Sequence, residues 1–104
     1  MIPGRASGPA LDDDMIAAGT AGTLWGLFRE RVRRSPDVIA YRDYDRAAGR
    51  WRDHSWAMIS GRVDRFRAAL ARENLKPGDR VAMLLPNGID WVCLDLAAHA
   101  SGLV

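Results

Sequence analysis

Apolar positions recur at helical spacing in three stretches of the chain, and shorter runs between them carry strand character. The first helical stretch places Leu24, Leu27, Phe28 and Val32 on one face. Thr23 stands where a hydroxyl can accept from the amides of a first turn. Ser35-Pro36 ends the pattern, because proline disfavours α geometry in the residue before it. Arg29, Arg31, Arg33 and Arg34 gather toward the C-terminal end, where positive charge suits the helix dipole. Val38 to Arg42 then reads as a strand, Asp45 to Gly49 as a turn, and Arg50 to His54 as the returning strand of a hairpin.

Ser55 is the expected cap of the longest helix, which should reach Glu73. Its apolar stripe is Trp56, Ile59, Val63, Phe66 and Leu70, narrow enough to face one core. Lys76-Pro77-Gly78-Asp79 has the chemistry of a type II turn, with proline second and glycine third. Val81 to Leu85 is unbroken apolar sequence, which predicts a strand covered on both faces, as in a parallel sheet. The stripe of the long helix should pack on that sheet.

Asn87 is the expected cap of the last helix, with Asp90 in its first turn. Ile89, Val92, Cys93, Leu96, Ala97 and Ala100 form its apolar face, widened by Trp91, Leu94 and Ala98. Gly102 suits a helix C-terminus, and Leu103-Val104 reads as the opening of another buried strand. The order from Arg50 to Ser101 is that of a βαβα unit with a right-handed crossover, so the fold class is α/β. A sheet this small cannot cover a strand that is apolar on both faces. The chain is therefore expected to be part of a larger domain. Residues 1–22, broken by Pro3, Gly4, Gly8 and Pro9, read as a flexible leader. Met15 to Ala18 offers at most one helical turn there.

Composition narrows the classes. Of 104 residues, 48% are hydrophobic and 27% charged, which is enough apolar surface to offset the entropy of ordering. No stretch approaches the roughly 20 apolar residues of a membrane span. The Asp12 to Asp14 run near the N-terminus is unlike a secretory signal. Cys93 is the single cysteine, so neither an internal disulfide nor a cysteine-based zinc site can form, and a reducing compartment is expected. The net charge of +2 comes from fourteen Arg and one Lys against eleven Asp and two Glu. The arginines are spread and mixed with aspartates, which argues against a nucleic-acid-binding stripe.

The catalytic inventory is short. Neither the G-x-x-x-x-G-K-[ST] phosphate loop nor the G-x-G-x-x-G dinucleotide fingerprint occurs. Gly19-Thr20-Ala21-Gly22-Thr23 is small and polar, but it lacks a preceding apolar strand and a following lysine, so a helix-capping leader is the better reading. His99 follows Asp95 by one helical turn, an arrangement that can orient a general base. Cys93 points to a different face, so a structural pair is expected. His54 sits at the end of a strand. Trp25, Trp51, Trp56 and Trp91 are expected in core or interface packing.

From Thr23 onward the segment order resembles the N-terminal start of the AMP-forming acyl-CoA synthetases, a branch of the adenylate-forming enzymes. The resemblance rests on Thr23-Leu24-Trp25-Gly26-Leu27-Phe28, on Ser35-Pro36-Asp37-Val38-Ile39-Ala40-Tyr41 and on the Ser55-Trp56 helix start. Its most specific stretch runs from Leu75-Lys76-Pro77-Gly78-Asp79-Arg80-Val81 to Leu85-Pro86-Asn87, with Trp91 four residues later. The region from Trp51 to Trp56 and from Trp91 to Leu96 is more similar to the long-chain fatty-acid branch than to peptide synthetases.

The resemblance implies that residues 23–104 are the N-terminal part of an AMP-binding domain, namely its opening hairpin and βαβα units. It implies a parent that activates a fatty acid with ATP, assisted by Mg²⁺, and passes the acyl group from the adenylate to coenzyme A. The family's phosphate loop, its nucleotide-binding motifs and its catalytic lysine would all lie beyond Val104. No catalytic, cofactor-binding or metal residue is therefore expected within residues 1–104, which alone should be inactive. A cytoplasmic protein is expected, touching a membrane at most peripherally and binding no nucleic acid. Two alternatives stay open: an adenylate-forming enzyme for aryl, short-chain or amino acids, and a non-catalytic α/β interaction module.

Overall fold

The computed structural model describes residues 14–104. Of the leader expected over residues 1–22, residues 1–13 lie outside them. Within the described residues, α1 (Ala18–Ala21) is one short turn, set a little later than the Met15–Ala18 turn that the sequence suggested. Helix α2 spans Leu24–Arg34. Thr23 Oγ1 accepts from the Gly26 amide at 2.9 Å, the expected cap. Helix α2 ends at Arg34, with Ser35 as its C-cap before Pro36.

The hairpin follows as β1 (Ile39–Asp45) and β2 (Arg50–Ser55), paired antiparallel. Tyr41 opposes His54, Asp43 opposes Arg52, and Tyr44 opposes Trp51. The register shifts between Ile39 and Tyr41, leaving Ala40 as an extra residue on β1. The turn is held by Asp45, whose Oδ1 accepts from the amides of Ala47 and Ala48 at 3.1 and 3.2 Å. Gly49 closes it at a φ of 66°, a conformation that favours glycine.

Helix α3 (Trp56–Ala71) starts directly from β2. Three of its leading amides have partners. Met58 donates to Ser55 Oγ at 3.1 Å, while Trp56 and Ala57 donate to the carbonyls of Val38 and Pro36 at 3.1 and 2.9 Å. The first turn of α3 is thereby tied to the connection between α2 and β1. The type II turn forms as expected, with Gly78 at a φ of 90° and the Asp79 amide bonded to the Lys76 carbonyl at 3.0 Å.

Helix α4 (Ile89–Ala100) completes the core. Its N-cap is Gly88, with no side-chain hydrogen bond, so Asn87 does not take the role that the sequence suggested. Two bonds close its other end in a Schellman motif: Gly102 amide to His99 carbonyl, 3.2 Å, and Leu103 amide to Ala98 carbonyl, 3.0 Å. Gly102 supplies the positive φ of 70°.

The buried cluster is Phe28 from α2, Ile59 and Val63 from α3, and Ile89, Cys93 and Ala97 from α4. The stripe of α3 therefore meets α4 and the hairpin, whereas the sequence reading had it on a sheet built around residues 81–85. Cys93 and Ala97 are small, so the two helices can approach closely at that seam.

The run Val81–Leu85 is not a strand here, and it is not covered on both faces. Leu84 is 99% exposed, while Val81 and Met83 are half-buried. The reason is the number of neighbours. An inner strand needs a partner on each side and a layer on each face, and among the described residues Val104 is the only backbone partner of this run. The Val104 amide donates to the Asp79 carbonyl at 2.8 Å, and the Val81 amide donates to the Val104 carbonyl at 2.7 Å. That alternation is the bonding pattern of a parallel pair. The sheet among the described residues is the two-stranded hairpin. The α/β class and the opening hairpin stand as expected, and the parallel part is present as these first bonds.

Candidate functional site

Among the places where polar side chains meet beside a cavity, two involve α4. The first lies where the hairpin faces the start of α4. Because Asp43, Arg52 and His54 fall on one face of the hairpin, the carboxylate can meet both partners. Asp43 Oδ2 lies 2.6 Å from Arg52 Nη2, and Asp43 Oδ1 lies 2.8 Å from His54 Nε2. The guanidinium beside it, then the imidazole, hold the Asp43 carboxyl down at about 2, against the opposing effect of burial. An ionised carboxylate only accepts, so His54 Nε2 carries the proton of that bond. His54 is itself buried. Across a small cavity of about 230 Å³ stand Arg62 and Asp90, paired at 3.0 Å, with the Pro86–Gly88 loop between them. Asp43 is met by Arg52 and His54, and Asp90 by Arg62, so these contacts tie β1 to β2 and α3 to α4.

The second place is an apolar groove of about 460 Å³ between α2, the hairpin, α3 and α4. Leu27, Phe28, Tyr41, Trp56 and Leu96 form its walls. Aromatic contacts build them: Phe28 and Trp56 have ring centroids 6.1 Å apart, and Tyr41 meets Trp56 edge-on at 6.0 Å. Asp95 and His99 lie at its rim, 3.6 Å apart and one helical turn from each other. Cys93 is fully buried among apolar neighbours, and that burial pushes its thiol pKa up. The Asp95–His99 pair and the buried Cys93 thus stand apart in their surroundings, the pair at the groove and the thiol in the core.

The other candidates resolve similarly. The amides from Thr20 to Thr23 all donate to carbonyls of Ala17, Ala18 or Ala21, so they form no open cradle for a phosphate. Trp25 stacks on Phe28 at 5.5 Å and lies 5.0 Å beneath the guanidinium of Arg67. Trp51 stays 66% exposed, edge-on to Tyr44 on the outer face of the hairpin. Among the described residues, no group of three or more His, Cys, Asp or Glu is placed to hold a metal ion. None of their helices is long and apolar enough to cross a membrane.

The hairpin, the capped helices and the glycine turn leading toward a parallel pair define the opening of an α/β domain of the adenylate-forming kind. The family model described as AMP-binding enzyme matches residues 28–104, and the chain belongs to that family. It is 37% identical over 92 residues to a protein of Salinispora arenicola named as a probable non-canonical nonribosomal peptide synthetase, CymA, covering 88% of this chain and 1% of that one. It is 34% identical over 85 residues to a long-chain-fatty-acid–AMP ligase of Mycobacterium tuberculosis, covering 75% of this chain and 14% of that one. The solved fatty acyl CoA synthetase of Mycobacterium tuberculosis superposes with a TM-score of 0.69 at 26% identity, over 82% of this chain and 16% of that one. The chain therefore spans a small share of the length of these relatives.

Proposed function

We propose that residues 23–104 open the large domain of an ATP-dependent, AMP-forming ligase that activates a fatty acid and passes it to coenzyme A. The observation that carries this reading is the family match over residues 28–104, together with relatives whose names specify fatty-acyl activation. In such a reaction, adenylation turns the poor leaving group of a carboxylate into a good one, and charged partners stabilise the departing pyrophosphate.

The described residues do not fit the nucleotide or its metal. Their polar clusters are internally paired, and the amides near Gly22 are occupied. No step of the nucleotide chemistry is assigned to them. Their role is to build the frame: the hairpin, the α3–α4 layer and the turn at Gly78 that sets the direction of residues 81–85. A cytoplasmic location is part of the same proposal.

A second reading is favoured by one observation, the 37% identity to a peptide synthetase. Under it the activated acid is an amino acid and coenzyme A plays no part. Mass spectrometry separates the two. The protein carrying the complete family domain is incubated with ATP, Mg²⁺ and a panel of acids, with and without coenzyme A. Fatty acyl-adenylate that converts to the coenzyme A thioester supports the first reading. Aminoacyl-adenylate alone supports the second, and fatty acyl-adenylate that persists with coenzyme A present removes the transfer step.

A further inference from the structure

Gly26 lies inside α2, where glycine costs about 1 kcal/mol relative to alanine. Its surroundings give the reason for its presence. A Cβ built on Gly26 would stand 1.9 Å from the carbonyl oxygen of Ala21, nearer than any real contact allows. The end of α1 therefore sits in a notch that only a residue without a side chain can leave open.

Two arginines hold the same segment further along α2. Arg31 Nη1 lies 2.6 Å from Asp14 Oδ1, and Arg31 also donates to the Asp14 carbonyl. Arg34 Nη1 donates to the Met15 carbonyl at 3.0 Å. Between these holds, Ile16 is half-buried and forms one wall of the apolar groove. The segment thus touches α2 at both ends and lays an apolar side chain over the groove between them.

We infer that residues 14–22 form a strap that closes one end of the apolar groove, notched into α2 at Gly26 and clasped by Arg31 and Arg34. Gly22, at a φ of 70°, is its hinge to α2. The clasp is built to release. Asp14 is 64% exposed, so its pairing with Arg31 is screened as ionic strength rises. The notch is a steric fit and does not respond to salt. Salt should therefore loosen the Asp14–Ala17 end first, swinging Ile16 off the groove while the notch still holds α1. This device is independent of the proposed ligase activity, because it concerns only how the groove is covered.

Hydrogen exchange on the full chain, resolved by residue, tests it. The amides of Thr20, Ala21 and Gly22, which bond within the strap, report the notch. Gly26→Ala should speed their exchange by about tenfold or more while the amides of α3 keep their protection. Gly61→Ala is the control, since a Cβ there meets nothing within 4 Å, and it should leave the strap amides unchanged. Binding of an apolar fluorescent dye reports the groove. It should rise with salt in the natural sequence and be high and salt-independent in Arg31→Gln/Arg34→Gln. Should Gly26→Ala fail to fold, the double arginine variant and the salt series still decide. Strap amides that exchange like an unfolded chain in the natural sequence would overturn the inference. So would unchanged strap protection in Gly26→Ala, or dye binding indifferent to both salt and the arginine changes.

Discussion

His54 Nε2 and Asp43 Oδ1 lie 2.8 Å apart, and this bond crosses the hairpin diagonally. It is the point where β2 ends, α3 begins and the core closes. His54→Ala removes the donor that the carboxylate faces and leaves a gap at a buried position. The expected loss is about 1–3 kcal/mol, read from the midpoint of urea unfolding. Replacement of the exposed Arg50 should change it little.

Acid should act through the same carboxylate. Asp43 and Glu30 are both held at about 2, from ordinary values of 3.8 and 4.5, by Arg52 with His54 and by Arg33 with Arg34 respectively. A carboxyl lowered by folding stabilises the native state wherever the unfolded chain would bind the proton first. That stabilisation is complete above the ordinary values and is lost as pH falls from about 4.5 toward 2. Unfolding measured across this window should show stability dropping with pH. Asp43→Asn should flatten the drop, and a slope unchanged in that variant would refute the assignment.

Packing predicts a graded series at the α3 stripe. Ile59 is 1% exposed, and Ile59→Ala should cost about 2–5 kcal/mol. Phe66 is only half-buried, so Phe66→Ala should cost less than the about 3–5 kcal/mol of a fully buried phenylalanine. Equilibrium unfolding of the two variants side by side checks the order.

Two glycines should differ although both have positive φ. Gly78→Ala meets open space, so its cost is conformational, about 1 kcal/mol. Gly102→Ala adds a contact at 3.3 Å with Pro77 Cβ, beside the turn whose Gly78 amide bonds the Gly102 carbonyl. It should cost more than Gly78→Ala. The reverse order, measured by thermal unfolding, would show that the Schellman end of α4 is not seated against Pro77.

Much of this fold can be read locally. Thr23 and Ser55 cap their helices because a hydroxyl at that position has amides within reach whatever the rest of the chain does. Pro77-Gly78 sets its own turn for the same reason. Three features depend on distant residues and escaped a local reading. The Asp43–His54 bond depends on the pairing register of the two strands, which decides which hairpin residues share a face. A search for opposite polar groups at diagonal positions on the hairpin would have pointed to it. The need for glycine at position 26 comes from the Ala21 carbonyl packed against it, which helical spacing does not reveal. The exposure of Leu84 follows from how many strands are present beside it, which its own apolar neighbours do not reveal.

Exchange of labelled pyrophosphate into ATP, dependent on added acid, tests the central claim most directly. It should be run on residues 1–104 alone and on the protein carrying the complete family domain. The account predicts no exchange by residues 1–104, to which it gives only the role of building the frame, and fatty-acid-dependent exchange by the complete domain. Exchange by residues 1–104 alone would contradict the framing role given to them. Absence of exchange by the complete domain with fatty, aryl and amino acids alike would contradict the ligase assignment.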